Sequence, residues 1–224
     1  MLVIFDCDGV LIDSELIYAE VDAVFLVEFG FAAVPAELAR RFSGIPGRDV
    51  WRVLADDHGF AIPDGHFERL REASHQRFAA DLAAIAGAAD TVRALGAMGH
   101  ETCVASSTGL ESLRRNLTTA GLIDLFGPSV FSASQVKRGK PAPDVFLFAA
   151  SQMGVDPADC LVIEDSVAGT TAARRAGMAV VGFTGGAHAD VELGHRLRAA
   201  GAHEVHPTML GLAEWLGATA IAPA

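Results

Sequence analysis

Two acids, two residues apart, sit near the start of this chain, in Val3-Ile4-Phe5-Asp6-Cys7-Asp8-Gly9-Val10. The run Leu2 to Phe5 is apolar and rich in β-formers, and it reads as a buried strand. Side chains alternate along a strand, so Asp6 and Asp8 project to one side and Cys7 to the other, while Gly9 lets the chain turn. A carboxylate pair in that position can bind a hard cation, or one acid can attack an electrophile while its neighbour moves protons. An Asp-x-Asp-Gly string also occurs in calcium loops. Those loops want a ligand at the fifth place and Gly at the sixth, where this chain has Val10 and Leu11, so the calcium reading fails.

Three further stretches carry reactive side chains. Glu101-Thr102-Cys103-Val104-Ala105-Ser106-Ser107-Thr108-Gly109 is a strand pattern ending in hydroxyls. Ser106 and Ser107, with the backbone N–H groups of the next turn, can hold an anion, although Ser and Thr also cap helices routinely. Lys140 lies in Gly139-Lys140-Pro141-Ala142-Pro143-Asp144, a stiff setting for a residue that normally occupies flexible, solvated faces. Lys137 and Arg138 beside it fit a solvated basic turn equally well, and Asp144 reads as the N-cap of the next helix. Finally, Leu161-Val162-Ile163-Glu164-Asp165-Ser166 ends a second apolar strand in adjacent acids, of which Asp165 can also serve as a helix cap. Delivering acids from two strands to one sheet edge is costly unless a cation compensates them. The set Asp6, Asp8, Glu164 and Asp165 offers oxygen alone, which suits Mg²⁺ rather than zinc.

The intervening elements have to bring these stretches together. Asp13 or Ser14 can cap a helix carrying Ile17, Val21, Val24 and Phe25 at helical spacing, and Gly30 stops it. Helical patterns follow from Ala36 to Phe42, Arg48 to His58 and Asp64 to Ala84, with no strand pattern between them. From about Gly87 strands and helices alternate. The strands read as Thr102 to Ser106, Val130 to Ser134, Leu161 to Glu164 and Ala179 to Phe183, and the helices between them end at Gly121, Gly154 and Gly177. Such alternation implies an α/β fold, a parallel sheet with helices on both faces, and a site outside the carboxyl ends of the strands. Residues 1–13 and 87–217 then form the core, 14–86 an inserted all-helical cap over the strand ends, and 218–224 a loose tail.

Composition narrows the partners. With 17 Lys+Arg against 28 Asp+Glu, the net charge of -11 repels nucleic acid and anionic membranes, while a local Lys or a metal still allows a small anionic substrate. Cys7, Cys103 and Cys160 show no C-x-x-C spacing and read as buried thiols of a cytoplasmic protein. No secretory leader pattern opens the chain, and the most apolar window, Ala23 to Val34, is too short to span a bilayer. Trp51 and Trp215 fall on helical patterns as core residues. His188, His195, His203 and His206 read as surface residues.

Taken in order, the four stretches resemble the haloacid dehalogenase-like hydrolase superfamily over nearly the whole chain. The resemblance is strongest to the branch with a helical cap after the first strand, which holds β-phosphoglucomutases and small sugar-phosphate phosphatases. It implies a Rossmann-like core of five or six strands and dependence on Mg²⁺. It also implies roles: Asp6 as the nucleophile that forms an aspartyl-phosphate, and Asp8 as the acid/base whose backbone carbonyl also ligates the metal. Asp165 becomes a metal ligand with Glu164 beside it, Ser106 and the amides after it hold phosphoryl oxygens, and Lys140 offsets charge. Dehalogenases and phosphonate-cleaving members lack the second acid, so Asp8 argues against both. Mutases carry a His where Tyr18 stands and an Arg near the loop Gly44 to Gly47, from which Arg48 is displaced by one residue. The resemblance therefore implies a Mg²⁺-dependent phosphatase of a sugar, polyol or sugar-acid phosphate. A phosphosugar mutase comes second, and a catalytically silent phosphometabolite-binding protein is the competing reading of another class. Glu15, Tyr18, Gly44 and Arg48 are the candidates to face the leaving group, and the molecule is expected to be a monomer or weak homodimer.

Overall fold

The computed structural model describes residues 1–218 of the chain. Six strands form one parallel sheet: β1 (Leu2–Phe5), β2 (Glu101–Ser106), β3 (Val130–Ser132), β4 (Cys160–Glu164), β5 (Ala179–Phe183) and β6 (Glu204–His206), in the order β3-β2-β1-β4-β5-β6. In register, Phe5 lies between Val104 of β2 and Ile163 of β4. The residues just after β1 therefore come out between the ends of β2 and β4. This is the α/β architecture expected, and it places three of the four reactive stretches side by side. The short strand β6 was not foreseen, since three residues leave too little alternation to read.

Four helices follow β1: α1 (Glu15–Leu26), α2 (Pro35–Phe42), α3 (Gly47–His58) and α4 (His66–Asp81). The remainder pack on the sheet: α5 (Ala88–Ala97), α6 (Leu110–Thr119), α7 (Ile123–Phe126), α8 (Asp144–Met153), α9 (Val167–Arg175), α10 (Leu193–Ala200) and α11 (Met209–Ala218). Alternation along β1 sends Val3 and Phe5 to one face, with Val92, Leu113 and Leu212 of α5, α6 and α11. Leu2 and Ile4 go to the other face, with Phe146 of α8 and Ala172 of α9. Both faces of the sheet are thus covered, as a buried parallel sheet requires. Helices α1 to α3 bury a separate cluster around Trp51, which is fully buried as expected, while Trp215 is only half-buried against the sheet core. All three cysteines are free and buried. Among the described residues no helix is long and apolar enough to cross a membrane.

Several boundaries differ from the sequence reading. The fourth helix stops at Asp81, because Leu82 turns extended. Residues 82–85 instead run beside 11–13, where Asp13 N–H donates to the Ala83 carbonyl (3.0 Å) and Ile85 N–H to the Leu11 carbonyl (2.9 Å). The strand expected to reach Ser134 ends at Ser132, whose hydroxyl accepts from Ser134 N–H while Gln135 accepts from Ser132 N–H, a capping box that winds the chain into a 3₁₀ turn. Asp144 is the first residue of α8 rather than its cap. Pro143 occupies the cap position, and the Asp144 carboxylate is engaged by Arg138 at 2.8 and 3.2 Å. Of the expected tail, Ala218 closes α11 and the rest lies outside the described residues.

Candidate active site

The turn after β1 is built by backbone hydrogen bonds that fold the chain back on itself. Leu11 and Ile12 N–H donate to the Cys7 carbonyl, Gly9 N–H donates to the Ile12 carbonyl, and Gly9 takes a φ of 78° that glycine alone adopts without strain. Asp6 and Asp8 flank Cys7 and both line a cavity of about 430 Å³ between the helices α1 to α4 and the sheet. Lys140, Glu164, Ser107, Glu15, Tyr18, Gly44 and Arg48 line the same cavity. Residues read from separate parts of the chain are therefore brought to one place.

The two acids have different neighbours. Asp6 is buried against the Lys140 ammonium, which also donates to Glu164 Oε1 at 2.7 Å. Burial pushes the Asp6 carboxyl well above the usual range. Lys140 opposes that shift, while Glu164, Asp165 and Asp8 add to it. For Lys140, burial works against the charge but is outweighed by Asp6 and Glu164, so the ammonium is held above its ordinary value. Asp8 instead accepts from three hydroxyls: Ser14 Oγ at 2.7 Å, Thr108 Oγ1 at 2.8 Å and Ser106 Oγ at 3.2 Å.

These contacts revise part of the expected site. Ser14 does not cap α1 with its side chain, because its hydroxyl is spent on Asp8. Ser106 lies beneath Asp8 and also accepts from Thr108 N–H at 3.0 Å, so its hydroxyl is already occupied. Ser107 Oγ, by contrast, is buried without a partner at the cavity. The four acids expected as one metal set do not form a ready cluster. Among the described residues, no three His, Cys, Asp or Glu side chains stand in such an arrangement. The Asp8 carboxylate is turned to the hydroxyls, and that of Glu164 is taken up by Lys140 and by the N–H and hydroxyl of Ser166 at 2.7 and 2.9 Å. Asp165 is buried, raised by burial and then by Glu164, with Lys140 opposing. His188, read as a surface residue, is buried with its Nε2 3.0 Å from Asp165 Oδ2. Its sequence neighbourhood carries no sign of this, whereas Thr108 stood in the hydroxyl run and Ser14 beside the acid motif.

The remaining candidates line the cavity from α1, the loop between α2 and α3, and α3. Glu15 Oε1 accepts from Gly44 N–H at 3.2 Å, and the Glu15 carboxyl is raised by burial and by Asp165 and Asp8. A Cβ at Gly44 would come within 2.6 Å of Ser166 Oγ, so the loop between α2 and α3 rests directly on the end of the sheet. Tyr18 packs edge-on to Phe78 at 4.8 Å, and burial followed by Asp8 pushes its phenol up. Arg48 is exposed, with its guanidinium over the Phe67 ring at 4.6 Å.

Residues 3–183 match the model of the haloacid dehalogenase-like hydrolases. The chain belongs to this family. Among haloacid dehalogenase-like relatives, the 6-phosphogluconate phosphatase of Escherichia coli K12 is 31% identical over 187 residues, 83% of either chain. A probable pseudouridine-5'-phosphatase of Drosophila melanogaster is 34% identical over 185 residues, 80% of this chain and 79% of the relative. In structure, a haloacid dehalogenase-like hydrolase from Deinococcus radiodurans R1, solved with bound phosphate and sodium, superposes with a TM-score of 0.80 at 36% identity, covering 100% of this chain and 98% of the other. The family expected from the four motifs is thereby borne out.

Proposed function

We propose that this phosphoric monoester hydrolase dephosphorylates a small sugar, polyol or sugar-acid phosphate in two displacements at Asp6, with Mg²⁺ as its cofactor. The observation that carries the reading is the unlike setting of two acids on one cavity. Asp6 lies against a fixed ammonium, as a nucleophile approaching an anionic phosphate requires. Asp8 is oriented by hydroxyls and open to the cavity, as an acid/base requires. In the first displacement an Asp6 carboxylate oxygen bonds to phosphorus, the ester P–O bond breaks, and the departing oxygen takes the Asp8 proton. In the second, Asp8 takes a proton from water, the resulting oxygen bonds to phosphorus, and the Asp6–phosphate bond breaks to free inorganic phosphate. Lys140 offsets charge in both, and Ser107 with the neighbouring amides receives the phosphoryl oxygens.

The residues fit a divalent cation. Four carboxyls, Asp6, Asp8, Glu164 and Asp165, gather around one buried ammonium, and the neighbouring acids help to raise those of Asp6 and Asp165, an excess of negative charge in an oxygen-only site. Asp6, Asp165 and the Asp8 backbone carbonyl would hold Mg²⁺, with Glu164 supporting it through Lys140. When bound, the ion supplies charge neutralisation for the phosphoryl group. Residues 14–86 act as a cap on a core of 1–13 and 87–217, opening at the paired linkers 11–13 and 82–85. The protein works in the cytoplasm, as a monomer or weak homodimer, on a diffusible phosphorylated metabolite. Tyr18, in place of the mutase histidine, favours hydrolysis over isomerisation. Phosphate release from a panel of sugar, polyol and sugar-acid phosphates with Mg²⁺ tests the reading. Turnover should vanish with chelator and in Asp6→Asn, and undiminished release by Asp6→Asn would overturn it.

A further inference from the structure

His188 has no part in the steps above, yet it is built into the site. It sits in the loop leaving β5, and its side chain is only 2% exposed. The slot it fills exists because two residues lack side chains. A Cβ on Gly186 would come within 2.7 Å of Nδ1, and one on Gly9 within 2.8 Å of Cε1. Its neighbour Ala187 is tethered to the same turn by its N–H, which donates to Asp13 Oδ1 at 3.0 Å. At the inner end of the slot stands Asp165, which a Cβ on Gly9 would also strike.

Nε2 of His188 approaches Asp165 Oδ2 at 3.0 Å but off the line of a hydrogen bond, and both atoms, like His188 Nδ1, are buried without any hydrogen-bond partner. Buried polar atoms are seldom left so, and these lie against one another. A small turn of the imidazole converts the approach into an N–H···O bond. His188 stands outside the cavity wall, against Asp165.

We propose that His188 is a positioning residue for Asp165, donating Nε2–H to Oδ2 from behind and fixing the plane in which the carboxylate meets the divalent ion. The inference rests on the metal-dependent reading above. Groups that orient a ligand in this way commonly carry a 10–100-fold share of metal affinity.

Magnesium titration by calorimetry and Mn²⁺ binding by electron paramagnetic resonance, both without substrate, test this on the full chain and on His188→Ala, His188→Gln, His188→Asn and Asp165→Ala. Asp165→Ala should abolish binding. His188→Ala should weaken it about 10–100-fold, with KM unchanged and kcat largely restored at saturating Mg²⁺. Gln, which carries an N–H to the reach of Nε2, should recover most of the affinity, and Asn, one methylene shorter, should not. That contrast decides the matter even if the alanine variant fails to fold. If Asp165→Ala loses the ion while the His188 variants bind it like the parent, the proposal falls and the metal site stands. If Asp165→Ala also binds like the parent, both fall.

Discussion

Lys140 is the side chain on which the charge balance of the site turns. It is buried, it touches Asp6 and Glu164, and its ammonium lies 4.8 Å from the centre of the Phe146 ring. Replacing it by Met keeps much of the volume but strands two buried carboxylates. Such a change costs about 3–5 kcal/mol at neutral pH, measurable as a shift in urea midpoint. Carboxyls raised in the folded state favour folding while protonated and lose that contribution as pH rises. The deficit of Lys140→Met should therefore shrink between pH 7 and pH 5, and an unchanged deficit would mean that the carboxylates are not what Lys140 stabilises. In the proposed mechanism, Asp8→Asn removes the proton donor but leaves Asp6 in place. It should retain attack on aryl phosphates, whose leaving groups need little help, and lose alkyl phosphates by about 10²–10⁴-fold. Equal losses on both would reassign the acid/base.

Within the helical elements, Trp51 shows how α1 and α3 are locked. It is fully buried, and its Nε1–H donates to Asp22 Oδ1 at 2.7 Å. Burial, opposed by that hydrogen bond, pushes the Asp22 carboxyl up from 3.8 to about 6. A raised carboxyl favours the fold below its unfolded value and loses that contribution as pH climbs through the folded one. Asp22→Asn keeps an acceptor for Trp51 and carries no charge. It should match the parent below about pH 4 and exceed it by roughly 1–3 kcal/mol above pH 6, and denaturant midpoints at pH 4 and pH 8 would show the gap opening. At this scale the sequence was most readable where a local signal sufficed. β1 and β5 matched their apolar runs, and α8 ended at the glycine that stopped its pattern. Boundaries set by distant partners were not readable: α4 ended early because residues 82–85 pair with 11–13, and β3 because of Ser132 and Gln135. The same holds for the site. Asp6, Asp8 and Lys140 could be read from strand-end and loop chemistry. The burial of His188, however, depends on Gly9 at the other end of the chain, a contact with no sequence signature.

For the molecule as a whole, a net charge of -11 with buried carboxylates at its centre leads the proposed reading to expect divalent ions to stabilise the fold. Mg²⁺ at about 100 times its dissociation constant should add about 2.7 kcal/mol, seen as a rise in Tm that EDTA reverses and that NaCl at equal ionic strength does not reproduce. No rise would remove the ion from the site. The seam over the cavity has one more consequence. Gly44 rests on Ser166, while across the gap His75 of α4 meets Ser112 of α6 at 3.2 Å and Arg115 at 2.6 Å. These contacts narrow the mouth of a cavity of about 430 Å³, and a phosphate has to pass them to reach Asp6 and Asp8. A phosphate held on a folded protein or along a polymer would meet the contacts of Gly44 with Ser166 and of His75 with Ser112 first. A free phosphorylated metabolite should therefore be turned over far better than a phosphate carried on a folded protein, and phosphate release from the two would show it.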